Sequence, residues 1–137
     1  MTIKLTNNQW DIIDHRLCCT DELAEVYADT MYCNAEDAGK KISDEERNAL
    51  FAAAHAEADR LHDQISESRV IDVAALSEVG RFIIADCIDG STFFCGIDDA
   101  VWDGELTKGK ALALRKAGHA ITNKLNEAGI ECQMIWD

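Results

Sequence analysis

Residues 43–66 read SDEERNALFAAAHAEADRLHDQIS, and the fold turns on how this stretch is read. Ser43 followed by Glu46 is a capping box: the hydroxyl takes a free amide of the first helical turn while the carboxylate reaches back. Leu50, Phe51, Ala54, Ala58, Leu61 and Ile65 recur with a 3.6-residue period, whereas Glu45, Glu57, Arg60 and Asp63 fall elsewhere on the wheel. The spacing predicts a helix buried along one side. At 1.5 Å per residue it runs about 36 Å, enough to cross a small domain. The other elements must therefore find their burial against it.

Upstream, residues 2–5 (TIKL) alternate and include a β-branched pair, which predicts a short strand. Thr6 with Gln9 is a second capping box, opening a helix NNQWDIIDHRL whose Trp10, Ile13 and Leu17 share a face and which ends near Cys18. Thr20 is the expected N-cap of the next helix, with Asp21 and Glu22 on the positive end of its dipole and Leu23, Val26, Tyr27 and Met31 on its buried side. A brief turn from Asn34 with Asp37 precedes Gly39, the hinge into the central helix.

Downstream, residues 70–89 (VIDVAALSEVGRFIIADCID) place Leu76, Val79, Ile83 and Cys87 on one helical face. A helix from about Val73, capped by Asp72, is expected. Phe82 and Ile84 add a second apolar face, which implies deep burial. Asp89-Gly90 signals a turn, Phe94, Ile97 and Val101 a short helix, and Asp103-Gly104 another turn. Thr107 then caps a last helix lined by Leu114, Ala117, Ile121, Leu125 and Ala128. Gly129 suits a left-handed ending, with Ile130 folding back on Leu125 in a Schellman motif. Gly118 inside that helix costs about 1 kcal/mol against Ala, tolerable if another helix approaches closely there. Residues 131–136 alternate and read as a strand pairing with residues 2–5. The expected architecture is mainly α (α+β): about five helices, with a small sheet joining N- and C-terminal strands. No repeat, low-complexity tract or linker divides the 137 residues, which implies one domain.

The balance of charge is the unusual compositional feature. Against 13 Lys and Arg stand 26 Asp and Glu, giving a net charge of -13, with a net of -9 carried by residues 1–68. Such a surface repels nucleic acid and anionic membrane and favours cationic partners, among them proteins that themselves grip DNA or RNA. Six cysteines would suit a disulfide framework in a secreted miniprotein. The opening MTIKLTNNQW has no apolar signal core, however, so free thiols in a reducing cytoplasm are expected. No apolar run approaches the roughly 20 residues that span a bilayer.

Several residue groups invite a chemical reading. His55, Asp59 and His62 fall at i, i+4 and i+7 on roughly one side of the central helix, where two imidazoles and a carboxylate could face one ion; the bland alternative is a pair of boundary histidines. His15 with Cys18 and Cys19 lacks any Cys-x-x-Cys spacing and reads as ordinary thiols. Glu22 and Glu25 supply one half of the paired acidic helices of an all-α pyrophosphatase, and no second half follows. Glycine-rich phosphate loops, Gly-x-Ser-x-Gly elbows and basic stripes with interleaved aromatics are missing from the sequence. The cationic run Lys108, Lys110, Arg115, Lys116 and Lys124 on the last helix is expected to face the chain's own acidic surface.

Between positions 86 and 105 there are six acidic residues, Asp86, Asp89, Asp98, Asp99, Asp103 and Glu105, with no Lys or Arg and with Phe93, Phe94 and Trp102 interspersed. One reading is a solvated face. The other is a binding surface on which carboxylates meet Arg and Lys while Trp102 anchors the contact.

Part of this region, Asp86-Cys87-Ile88-Asp89-Gly90-Ser91, resembles the metal-binding signature of the inositol monophosphatase family, Asp-Pro-Ile/Leu-Asp-Gly-Ser/Thr. The resemblance implies Mg²⁺ on Asp86 and Asp89 and phosphoester hydrolysis, although Cys87 stands where that family has proline. More broadly, LTNNQWDIIDHRL followed by an acidic helix, and ADCIDGSTFF with a Lys-rich helix beyond it, are similar to small uncharacterised acidic proteins of bacteriophages and mobile elements. That resemblance implies an inhibitor of a host enzyme or defence complex. The expected function is thus a non-enzymatic, cofactor-free protein-binding module that imitates nucleic acid and captures a basic nucleic-acid-handling protein through Asp86, Asp89, Asp98, Asp99, Trp102, Asp103 and Glu105. It would contact neither nucleic acid nor membrane directly, and self-association stays open; a metal-dependent phosphoester hydrolase is the alternative.

Overall fold

A computed structural model describes residues 1–90, 93–134 and 136; the side chains of Phe93, Phe94 and Cys95 lie outside that description, as do Ser91, Thr92, Ile135 and Asp137. The chain is mainly α with one small sheet. Its order is β1 (Thr2–Lys4), α1 (Asn7–Leu17), α2 (Thr20–Asp37), α3 (Asp44–Ser68), β2 (Val70–Asp72), a 3-10 turn (Val73–Ala75), α4 (Glu78–Asp89), α5 (Phe93–Trp102) and α6 (Lys108–Glu127).

The predicted caps set most of these boundaries. Thr6 and Gln9 exchange both hydrogen bonds of the capping box, at 3.2 and 2.9 Å. Ser43 accepts from the Glu46 amide at 3.1 Å, and Thr107 from that of Lys110 at 3.1 Å. α6 ends in a Schellman motif: the Gly129 amide bonds the Asn126 carbonyl, the Ile130 amide bonds that of Leu125, and Gly129 sits at φ +87°, where a side chain would strain the backbone.

Ala54, Ala58, Leu61 and Ile65 of α3 are buried, and Leu50 and Phe51 are half-buried, so the predicted stripe is the packed one. Opposite it, Leu23, Ala24 and Ala28 of α2 are fully buried. Four fully buried alanines at this seam let the two helices approach closely. Ile12, Ile13 and Leu17 of α1, Ile83, Ile84 and Ile88 of α4, and Ile121 and Leu125 of α6 complete one contiguous core.

Five expectations are corrected. Thr20 is the first residue of α2 and Cys19 occupies the cap position without a side-chain bond; the Thr20 hydroxyl lies 3.4 Å from His55 Nε2 instead. Residues 34–37 continue α2 without a turn. The helix expected from Val73 begins at Glu78, where Ser77 accepts from the Gly80 amide. Residues Val70–Asp72 are a strand because Arg69, at φ +57°, ends α3 in a left-handed turn that lays Val70 and Ile71 antiparallel to β1, with Ile3 opposite Ile71. The guanidinium of Arg69 lies 4.8 Å over the Trp10 ring, a contact that offsets part of the cost of that backbone.

The fourth correction concerns the sheet. β1 pairs with β2, and residues 131–134 and 136 form no strand. The tail is strapped down by side chains: Asn126 bonds both the amide and the carbonyl of Cys132, and Asp89 Oδ1 accepts from the Gln133 and Met134 amides at 2.7 and 2.9 Å. Trp136 is buried against α6 and donates to the Thr122 hydroxyl at 3.0 Å. This explains Gly118. A Cβ there would fall 2.3–2.5 Å from three atoms of the indole, so the tail's ring, not a second helix, makes the close approach.

Gly118→Ala should therefore destabilise the fold by about 1–2 kcal/mol, overpacking outweighing the helix propensity gained. In a Trp136→Ala background the same change should become stabilising. Urea denaturation of the four variants checks this reversal of sign.

Candidate functional site

Of the seven residues expected to face a partner, Asp86 and Asp89 serve the fold. On α4, Asp86 Oδ2 accepts from both Nε and one terminal nitrogen of Arg16 at 2.9 Å, and the two side chains are only 16% and 15% exposed. Gly90 makes room for this pair, since a Cβ there would meet Asp86 Oδ1 at 2.7 Å and Arg16 Nε at 3.1 Å. Asp89 holds the tail. The Asp-Cys-Ile-Asp-Gly segment is thus accounted for by an ion pair and a backbone anchor with different partners; Ser91 of that signature lies outside the described residues.

The other five share one end of the molecule. Ile97 is buried and Val101 half-buried, which turns Asp98, Asp99, Trp102 and Asp103 outward on the opposite face of α5. Trp102 is 90% exposed, the most exposed large apolar side chain among the described residues. Asp98 pairs with Arg115 of α6, whereas Asp99, Asp103 and Glu105 have no ion pair or side-chain hydrogen bond among the described residues. Beside them lies a groove of about 500 Å³ lined by Gly96, Ile97, Ala100, Leu106 and Leu114, with His15 and Glu105 at its rim. An apolar groove with a carboxylate in its lining suits an apolar side chain carried on a cationic segment, while Trp102 presents its indole on the other side of α5.

The histidines of α3 do not converge. His55 Nε2 lies 2.8 Å from Asp21 of α2 and its Nδ1 3.3 Å from Asp59, while His62 Nε2 lies 2.9 Å from Asp14 of α1. Each imidazole ties α3 to a different helix. Among the described residues no group of three or more His, Cys, Asp or Glu is arranged to hold a metal ion. On α6, Arg115 faces Asp98 and Lys110 bonds Asn8, so the cationic run meets the chain's own surface at these two positions.

One feature had no signal in the sequence. The outer ends of α2 and α3 leave a second groove, about 540 Å³, lined by Met31, Ile42, Ala49 and Leu50 with Glu46 at its edge. Nearby, Arg47 bridges Asp29 and Glu25, which raise its pKa. Met31 and Leu50 carried the apolar period; that they sit beyond the core depends on how far the hairpin projects.

The thiols divide by burial. Cys18 and Cys33 are exposed, Cys19 is partly exposed, and Cys87 and Cys132 are buried. Burial pushes Cys87 well above the ordinary thiol range, with Asp86 adding to it. Cys132 is pushed up to about 12, by burial first and Asp89 second. No known protein family, characterised protein or solved structure matches this chain.

Asp86→Ala, which leaves the half-buried Arg16 with the exposed Glu22 at 3.7 Å as its remaining carboxylate, should cost on the order of 2 kcal/mol, while Asp99→Ala and Asp103→Ala should stay within about 0.5 kcal/mol by chemical denaturation. Between pH 9 and 12 the unfolded chain surrenders thiol protons that folded Cys132 keeps, so this thiol's contribution is whole below pH 9 and is lost as pH rises towards 12. Cys132→Ala should flatten that part of the alkaline stability profile.

Proposed function

We propose that this chain is a small acidic protein-binding module, acting without catalysis, whose partner is a basic nucleic-acid-handling protein or complex. The observation that carries the reading is Trp102: an indole 90% exposed on a helix face whose neighbours Asp99 and Asp103 have no ion pair among the described residues. An exposed indole is costly in water and valuable in a contact, where tryptophan is among the residues that dominate binding energy. Carboxylates around it steer a cationic surface and hold its register.

In this reading the carboxylates compete with phosphate for the partner's Arg and Lys, and the module acts as a nucleic-acid mimic of the kind a phage-encoded anti-defence inhibitor would use in the host cytoplasm. The working surface is Asp98, Asp99, Trp102, Asp103 and Glu105; Asp86 and Asp89 act behind it by holding the fold. Metal-dependent hydrolysis is not favoured, because Asp86 is already committed to a guanidinium and Asp89 to two backbone amides.

With a basic nucleic-acid-binding protein as probe, binding should weaken steeply with salt and compete with duplex DNA. Trp102→Ala should reduce affinity about 30-fold, near 2 kcal/mol, and Asp99→Lys with Asp103→Lys should abolish competition while the melting temperature holds. Unchanged titrations for both variants would remove the proposal.

A further inference from the structure

The junction of α1 and α2 brings two thiols together. Adjacent residues of a regular helix point about 100° apart, which separates their side chains. Here Cys18 closes α1 and Cys19 opens α2 at φ -94° and ψ 64°, and this break turns the sulphurs towards each other. They lie 3.9 Å apart, and both lie within hydrogen-bonding distance of the same acceptor, the His15 carbonyl, at 3.7 and 3.8 Å. Cys18 is exposed and Cys19 partly so, hence both can be reached from solvent.

Two sulphurs bound at about 2.3 Å to one centre stand about 3.8 Å apart at the tetrahedral angle and about 3.3 Å apart at the narrower angle of a pyramidal trivalent centre, so a shared soft centre asks the observed pair to close by well under about 1 Å. Among the described residues no third ligand converges on them, and a closed zinc shell is not assembled. The chemistry left is a centre that takes two sulphurs and brings its remaining valence with it.

We propose that Cys18 and Cys19 form a chelating dithiol site for soft, thiophilic centres, trivalent organic arsenic being the class that fits best. With an arsine oxide, R–As=O, two As–S bonds form and the As=O bond breaks. Both thiol protons leave with the oxygen as water. Arsenic stays trivalent, so no oxidant or reductant is needed. Cys18 is held above the ordinary thiol range by partial burial and by Cys19, which slows reagents that need a single thiolate and leaves the two-point ligand favoured.

Phenylarsine oxide added at one equivalent to the full chain, followed by intact-mass spectrometry, tests the site. A single adduct is expected that survives a large excess of a monothiol, is stripped by 2,3-dimercaptopropanol, and weakens about 100-fold or more in Cys18→Ser and in Cys19→Ser as the chelate is lost. Cys33→Ser and Cys95→Ser should retain it, and circular dichroism establishes that each variant is folded. An adduct that persists in the Cys18→Ser/Cys19→Ser double variant, or one the monothiol removes from the native chain, would overturn the assignment.

Discussion

Burial of one apolar stripe on α3 is the constraint from which the architecture follows. A 25-residue helix whose fully or nearly fully buried residues are two alanines, a leucine and an isoleucine gains little from any single neighbour. It is held because α1, α2 and α4 each cover part of the stripe, and because the alanine seam with α2 brings two backbones close enough for dispersion to accumulate over several turns. Polar contacts then fix the register: His55 reaches α2 through Asp21, and His62 reaches α1 through Asp14. The left-handed end at Arg69 converts the finish of α3 into a strand, and the sheet that results closes the core over Ile3 and Ile71.

Much of this could be read from the sequence because it is local. Capping hydroxyls at Thr6, Ser43 and Thr107, the glycine after α6 and the period of the α3 stripe are each decided within a few residues, and each marks its helix as the pattern implies, although at Ser43 the Glu46 carboxylate takes the serine hydroxyl and not its amide. The errors arose where one pattern has two solutions. Residues 131–136 alternate because Cys132 and Trp136 turn inward while Glu131 and Gln133 turn out, but the inward residues meet α6 and not a neighbouring strand. A period of two reports a chain with one buried side; it does not say what buries it. Val70 and Ile71 belong to no element that the sequence predicts, because only the reversal at Arg69 makes them extended.

The candidate site was legible in part for the same reason. Counting carboxylates from Asp86 to Glu105 finds an acidic tract, but counting cannot divide those that work inside the fold from those on display. Asp86 answers Arg16, seventy positions away, and Asp89 answers amides more than forty positions away. Neither partner is visible in a local window. Asp99, Asp103 and Trp102 share a helical face, and that much follows from spacing alone; that the face points outward required knowing that Ile97 and Val101 turn to the core.

The same sorting bears on the net charge of -13. An acidic chain needs some of its carboxylates neutralised where helices meet, and Arg16, Arg47 and Arg115 do this, each between two elements of the fold. The carboxylates beyond those pairings repel one another and weaken the compact state slightly. Where such unpaired groups surround an exposed indole, a cationic partner would relieve the repulsion and cover the apolar side chain in the same contact. Among the described residues the two terms reinforce each other at that end of α5. At the outer groove of α2 and α3, Arg47 already neutralises Glu25 and Asp29, so the electrostatic gain on binding there is smaller.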